Sequence, residues 1–219
     1  MLAADPRLER LRGAWPDDVD VWRIPVDLAR TPHAAGLDAA EAARLRAYRS
    51  RAEACRFSTA RRALRRLLGT MLACEPLELR FVADERGRPL LRDFPWLRFN
   101  VSHAGSQALI ATSTRRAVGV DIERIDPSLD WQELSAWVCS AQEIGSLTGR
   151  RDFYRCWVRK EACLKARGIG IVDGMRGIDH RVDRDTSGLT LCDLAERDGH
   201  LGALAYDALL RDNVGKGTV

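Results

Sequence analysis

The spacing of apolar positions changes period several times along this 219-residue chain, and each change marks an element. Residues 1–18 hold no sustained period and read as irregular or weakly helical, closing at Trp15-Pro16. Val19 to Val26 (VDVWRIPV) alternates and is rich in β-branched residues, which predicts a strand. Pro25 cannot donate to a ladder, so that strand is expected at a sheet edge. Asp38 with Glu41 three residues on has the form of a capping box and opens a helix to about Tyr48. From about Ala52 to Ala73, the positions Phe57, Leu64, Leu67, Leu68, Met71 and Leu72 recur at helical spacing and predict a longer helix. Leu79 to Ala83 reads as a strand, Asp84 to Gly87 as a turn, and Gly87-Arg88-Pro89 as the start of a loop through Pro95. Arg98–His103, Ala108–Thr112 and Ala117–Ile122 predict three further strands. In the last of them Val118, Val120 and Ile122 share one face, and Gly119, Asp121 and Glu123 share the other.

Beyond Pro127 the period becomes helical from Leu129 to Val138, then again in a short helix capped by Ser140 with Glu143. A third helical stretch starts at Phe153, and Gly168 supplies its stop. Ile178–Val182, Leu189–Leu194 and Leu201–Tyr206 read as short strands, and the tail from Asp212 as frayed. Helix followed by strands occurs in each half. The expected fold class is therefore α+β, as two similar lobes meeting near residues 113–118.

Composition narrows the function more than the fold. Hydrophobic residues make up 46% of the chain, enough for a core, and the net charge of +4 favours phosphorylated ligands or an acidic partner without being a nucleic-acid signature. The six cysteines form no C-x-x-C pair, which argues against zinc ribbons and thioredoxin-like chemistry. No apolar run suits a signal peptide or a membrane span, so a cytoplasmic protein with reduced thiols is expected. G-x-x-x-x-G-K-[ST], G-x-G-x-x-G after a strand, and G-x-S-x-G are all absent.

The candidate chemistry begins with the lysines. Of 35 Lys and Arg residues only Lys160, Lys165 and Lys216 are lysine. Two of these lie five apart in FYRCWVRKEACLK (153–165), and an ammonium is a compact charge suited to a phosphate oxygen. Phe153, Trp157, Glu161 and Lys165 step by four along one helix face. That face can equally be an amphipathic surface with a solvated Glu–Lys pair. Asp121 and Glu123, two apart on a strand, leave the same face about 6–7 Å apart. They either face water or share a cation, and oxygen ligands select Mg²⁺ or Mn²⁺ over zinc. Nine arginines fall between Arg44 and Arg66. Most read as a solvated face, whereas Arg61 and Arg65 sit four apart beside the apolar stripe and could address one anion. Ser102-His103, at a strand end before a glycine turn, could offer a hydroxyl and an imidazole to a phosphate, or simply lie at the surface. His33, His180 and His200 lack such a context and read as bland.

Three segments, FNVSHAG (99–105), VGVDIE (118–123) and FYRCWVRKEACLKARGIGI (153–171), resemble in order and spacing the 4′-phosphopantetheinyl transferases, specifically the monomeric two-lobed type serving peptide and polyketide synthases. GRPLL (87–91) falls where that family has a G-K/R-P turn, and the likeness covers about residues 45–172. The resemblance implies a pseudodimer with the active site in the cleft between lobes 1–115 and 116–219. It implies transfer of the 4′-phosphopantetheine arm of coenzyme A to a serine of an apo carrier protein, releasing adenosine 3′,5′-bisphosphate. By the same resemblance Mg²⁺, or Mn²⁺, would be held by Asp121, Glu123 and Glu161. Lys165 would bind a phosphate oxygen, with Lys160 beside it, and Glu161 would be the candidate to take the serine proton. His103 with Ser102 would hold the 3′-phosphate, and Arg61, Arg65 and Arg88 match basic positions near the nucleotide. Where some members have lysines before the second helix, this chain has Ser50 and Glu53, which turns attention to Arg51, Arg56 or Arg61. A monomer with coenzyme A and a carrier protein as partners, and neither nucleic acid nor membrane, is expected. The rival readings are an Mg²⁺-dependent phosphohydrolase of coenzyme A-like diphosphates and a polyanion-binding module.

Overall fold

Gln107–Ser113 is buried at all seven positions, and the fold is built around that strand. The computed structural model describes residues 8–169, 175–184 and 188–207. In chain order they form β1 (Glu9–Leu11), β2 (Val19–Pro25), α1 (Ala39–Ala47), α2 (Arg51–Leu72), β3 (Phe81–Ala83), β4 (Pro89–Leu91), β5 (Arg98–Ala104), β6 (Gln107–Ser113) and β7 (Val118–Arg124). There follow α3 (Trp131–Val138), α4 (Ala141–Ile144), α5 (Arg150–Arg167), a 3-10 turn at Met175–Gly177, β8 (Leu189–Arg197) and β9 (His200–Asp207). The class is mixed α and β. One antiparallel sheet has the order β1-β2-β6-β5, a second β7-β9-β8, and β3 pairs with β4.

Period-two burial shows how the layers stack. On β6, Ala108 and Ile110 join Leu64 and Leu68 of α2 in one core, while Leu109 and Ala111 join Val118, Val120 and Ile122 of β7 in another. On β9, Leu204 and Tyr206 belong to that inter-sheet core, while Leu201, Ala203 and Ala205 face Phe153, Val158 and Ala162 of α5. The order is thus helix, sheet, sheet, helix. Strands with both faces covered read as continuous apolar runs, as β6 and β9 do.

The caps behave as their residues require. Asp38 accepts from Glu41 N while Glu41 returns a bond to Asp38 N, closing the box on α1, and Ser140 with Glu143 does the same on α4. Gly168 ends α5 in the left-handed region at φ 67°.

Four expectations need correction. Residues 9–11 are a strand rather than irregular, too short to show a period; Glu9 and Arg10 tie it down by ion pairs to Arg197 and Asp20. β2 is internal, not an edge. β1 covers only Val21 to Arg23, so Pro25 lies past its end, where no partner needs an N–H. Pro89–Leu91 is a strand, folded back on β3 about the Asp84–Gly87 turn. Ile178–Val182 is not a strand: its backbone is satisfied by side chains instead, His180 N donating to Glu143 and Val182 O accepting from Arg159. The tail from Asp212, Lys216 and Gly170 lie outside the described residues.

α5 meets β7 almost backbone to backbone. A Cβ placed on Gly119 would lie 2.1 Å from Ala162 O and 2.3 Å from Ala166 N. Gly119→Ala is expected to destabilise the protein by roughly 1–3 kcal/mol as α5 is pushed off the sheet, measured by urea unfolding. An unchanged midpoint would mean the helix does not rest there.

Candidate active site

Because Gly119 lets α5 down onto β7, the next residues on that strand face, Asp121 and Glu123, meet the helix face carrying Glu161 and Lys165. Asp121 and Glu161 are buried, at 2% and 3% exposure. Lys165 Nζ donates to Asp121 Oδ1 at 2.5 Å and to Ser102 Oγ at 3.0 Å, and Ser102 Oγ donates to the same Asp121 oxygen at 2.8 Å. The first sheet, the second sheet and α5 each contribute one member of this cluster. Asn100 splices the sheets beside it, its Oδ1 accepting from Val120 N at 2.9 Å.

The acids feel one another. Burial first, then the charge of Asp121, pushes the Glu161 carboxyl up to about 7. Burial, Asp121 and Glu161 together push Glu123 up to about 7, against the pull of Lys165 and Arg56. Asp121 Oδ2 and Glu161 Oε1 are buried and accept no hydrogen bond. Buried carboxylate oxygens without donors, beside acids whose pKa burial and like charge raise, are a donor set suited to a hard divalent cation. The three acids do not form one of the tight groups with ligand atoms mutually within 4.8 Å. Among the described residues those are Cys139–Glu143–Cys156 and Glu143–Asp179–His180. At the acidic site the Lys165 ammonium supplies the compensating charge.

A second feature lies alongside. Arg44, Phe57, Arg61, Pro89, Val101 and His103 line a shallow depression, with Ala60 and Leu64 beneath. The His103 imidazole is held below its ordinary pKa, first by burial, then by Arg56, Lys165 and Arg44. Arg61 lies over the Phe81 ring at 4.6 Å and pairs with Glu41 at 3.2 Å, while its Nη1 is buried without a hydrogen-bond acceptor. Arg88 lies near Gly168, at the end of α5, 3.4 Å from where a Cβ would stand.

The predicted site residues therefore divide. Asp121, Glu123, Glu161, Lys165 and Ser102 come together, and Arg61 and His103 share the depression. Ser102 departs from the expected pairing with His103: strand neighbours leave opposite faces, and its hydroxyl is spent on Asp121 and Lys165. Arg65 is not available to an anion. It is fully buried, and its guanidinium is spent on Glu41, Asp38 and the carbonyls of Pro76 and Leu79. Lys160 is likewise internal, donating to Glu143 at 2.6 Å and to Met175 O at 2.7 Å. His180 and His200 are buried rather than bland, His180 against Glu143 and His200 beneath the Gly105 turn. Arg44 went unrecognised within the arginine run. α1 shows little apolar contrast between its faces, so nothing in its sequence says which arginine looks inward.

The family model of the 4′-phosphopantetheinyl transferase superfamily matches residues 117–204, the span containing β7 and α5. The 4′-phosphopantetheinyl transferase HetI of Nostoc sp. is 35% identical over 167 residues, covering 71% of this chain and 70% of that protein. The chain belongs to this family of transferases. Protein slr0495 of Synechocystis sp. is 37% identical over 169 residues, covering 72% of this chain and 68% of that one. A phosphopantetheinyl transferase of Thraustochytrium sp. is 30% identical over 200 residues, covering 83% and 69%. Among the described residues no helix of this transferase is long and apolar enough to cross a membrane.

Two outcomes follow. Glu123 and Glu161 hold their protons to about pH 7 when folded, against ordinary values near 4.5. The folded state binds more protons in that window, so metal-free stability falls as pH rises from 4.5 to 7. Melting temperature against pH should show this slope, and it should flatten in Glu123→Gln and Glu161→Gln; a flat wild-type profile would refute it. Arg65→Ala leaves Glu41 buried beside a cavity and should cost about 3–5 kcal/mol, read by denaturant unfolding.

Proposed function

We propose that the chain moves the 4′-phosphopantetheine arm of coenzyme A onto a serine of an apo carrier protein, with Mg²⁺ (or Mn²⁺) as cofactor and adenosine 3′,5′-bisphosphate as the second product. The observation that carries this reading is the cluster of Asp121, Ser102 and Lys165 beside the donor-free oxygens of Asp121 and Glu161. Membership of the family selects transfer over hydrolysis of the same diphosphate.

Asp121, Glu123 and Glu161 would hold the divalent ion. When bound, the ion would neutralise the diphosphate and favour departure of the nucleotide. Lys165, about a quarter exposed at 27%, would offer its remaining N–H to a phosphate oxygen as charge builds there. Glu161, with a pKa near operating pH, is suited to accept the serine proton. Arg44, Arg61 and His103 would hold the ribose phosphate, Phe57 and Val101 offering an apolar floor for the base. Arg88 would reach the nucleotide from the β3–β4 hairpin.

The same reading makes the two helix-on-sheet halves a pseudodimer. Residues 1–115 would supply nucleotide contacts and 116–219 the metal and catalytic groups, with the cleft at their junction. An acidic carrier would be steered by the positive net charge. The enzyme would act as a cytoplasmic monomer.

Incubation with coenzyme A, Mg²⁺ and a panel of apo carrier proteins should add the phosphopantetheine mass to the carrier. Release of pantetheine phosphate without a carrier would point to a hydrolase instead. Lys165→Ala should lower turnover by about 10²–10³-fold, and Asp121→Asn should abolish it with the fold retained. Arg61→Ala should weaken coenzyme A binding by calorimetry with little change in melting temperature. If it destabilises the protein as much as is expected of Arg65→Ala, it is a structural residue.

A further inference from the structure

Away from the acidic site, two of the thiols in the C-terminal core lie side by side and are not used by the transfer reaction. Cys139 caps the end of α3, and Cys156 lies on the buried side of α5; they are 2% and 0% exposed. Their sulfurs are 3.2 Å apart, and both cysteines are free. A disulfide needs about 2.0 Å, so closing this pair requires a displacement of little more than an ångström. Glu143, from α4, completes a close group with them.

That group could hold a metal ion or serve as a redox pair, and the partners of Glu143 decide between the two. One of its oxygens accepts from the buried Lys160 ammonium, and the other accepts from His180 N and lies 2.7 Å from His180 Nδ1. The carboxylate is fully engaged, and a cation here would have to sit against a buried ammonium. Two thiolates on one zinc also stand roughly 3.8 Å apart at tetrahedral angles, wider than these sulfurs.

We propose that Cys139 and Cys156 form a reversible disulfide that staples α3 to α5 when the protein meets a peroxide. The two thiols differ. They share one hydrogen bond in which either sulfur can donate, but Cys139, at the open end of α3, keeps what little exposure the pair has, whereas Cys156 has none. Lys160 favours the thiolate at both cysteines. Cys139 is therefore the nucleophile and Cys156 the resolving thiol. The Cys139 thiolate attacks one peroxide oxygen, the O–O bond breaks, and hydroxide leaves with the proton that the thiol gave up, as water. The Cys156 thiol then attacks the sulfenic sulfur, the S–S bond forms, and a second water carries away the sulfenic oxygen. Two thiols are oxidised and one peroxide is reduced to two waters.

Hydrogen peroxide treatment of the whole chain, followed by alkylation under denaturing conditions and peptide mass mapping, tests the site. The expected product is one cross-linked peptide joining 139 to 156, two hydrogens lighter and reopened by dithiothreitol. The oxidised protein should melt roughly 6–12 °C higher, as expected for a loop of this size closed in a domain of this length. The gain should vanish in Cys139→Ser and Cys156→Ser and persist in Cys74→Ser. The mapping needs only the wild-type chain, so a variant that fails to fold leaves the test standing. Sulfinic acid at Cys139 without a cross-link, a bridge to another cysteine, or stoichiometric zinc that blocks alkylation would each overturn the proposal.

Discussion

The backbone of α5 can rest on β7 only because position 119 has no side chain, and the site depends on that contact. Any Cβ there would strike the carbonyl of Ala162. With the helix seated, Asp121 from the strand and Glu161 and Lys165 from the helix enter one largely buried space, where burial and the charge of Asp121 raise the Glu161 pKa and an ammonium is worth far more than in water. The rest of the C-terminal half can be understood as holding this contact. Lys160, Glu143 and His180 lock the far side of α5 to α4 and to the segment after the 3-10 turn through buried charge. Arg159 does the same toward β8 through Asp193.

Charge is used in two distinct ways in this molecule. Arg65 and Lys160 are fully buried cations with every neighbour supplied by the protein, and each ties a helix to a loop or a second helix. Arg61 and Lys165 lie one helical turn or so away on the same two helices and are not sealed, at 15% and 27% side-chain exposure, bordering the depression and the acidic cluster. A helix can carry both because side chains four or five residues apart differ by a fraction of a turn. The arginine-rich stretch is therefore neither a solvated face nor an anion-binding stripe as a whole. Its members differ according to which way α2 is rolled against the sheet.

Much of the fold was legible in local pattern. The capping boxes at Asp38 and Ser140, the apolar stripe of α2 and the alternation on β7 are short-range signals, and the structure follows them. Expectations failed where the deciding partner was distant in sequence. β1 and β4 are three residues long and exist through pairing with β2 and β3. The stretch from Ile178 has strand-like composition, yet its backbone is satisfied by Glu143 and Arg159. Pro25 is a rule about one hydrogen bond, and the rule was met at a strand end inside the sheet.

By itself the sequence determined that Asp121 and Glu123 share a strand face, that Glu161 and Lys165 share a helix face, and that both motifs stand in an order resembling one transferase family. The two shared faces are consequences of periods of 2.0 and 3.6 residues, which depend on neighbours alone; the motif order is a resemblance and rests on the residues themselves. Only the tertiary structure decided that the two faces meet, that Ser102 turns to Asp121 while His103 turns to Arg44, and that Arg65 and Lys160 are sealed inside. Burial and electrostatic coupling fall off over a few ångströms, and which groups lie within that reach is set by how helices and sheets are stacked, a property that no single segment carries.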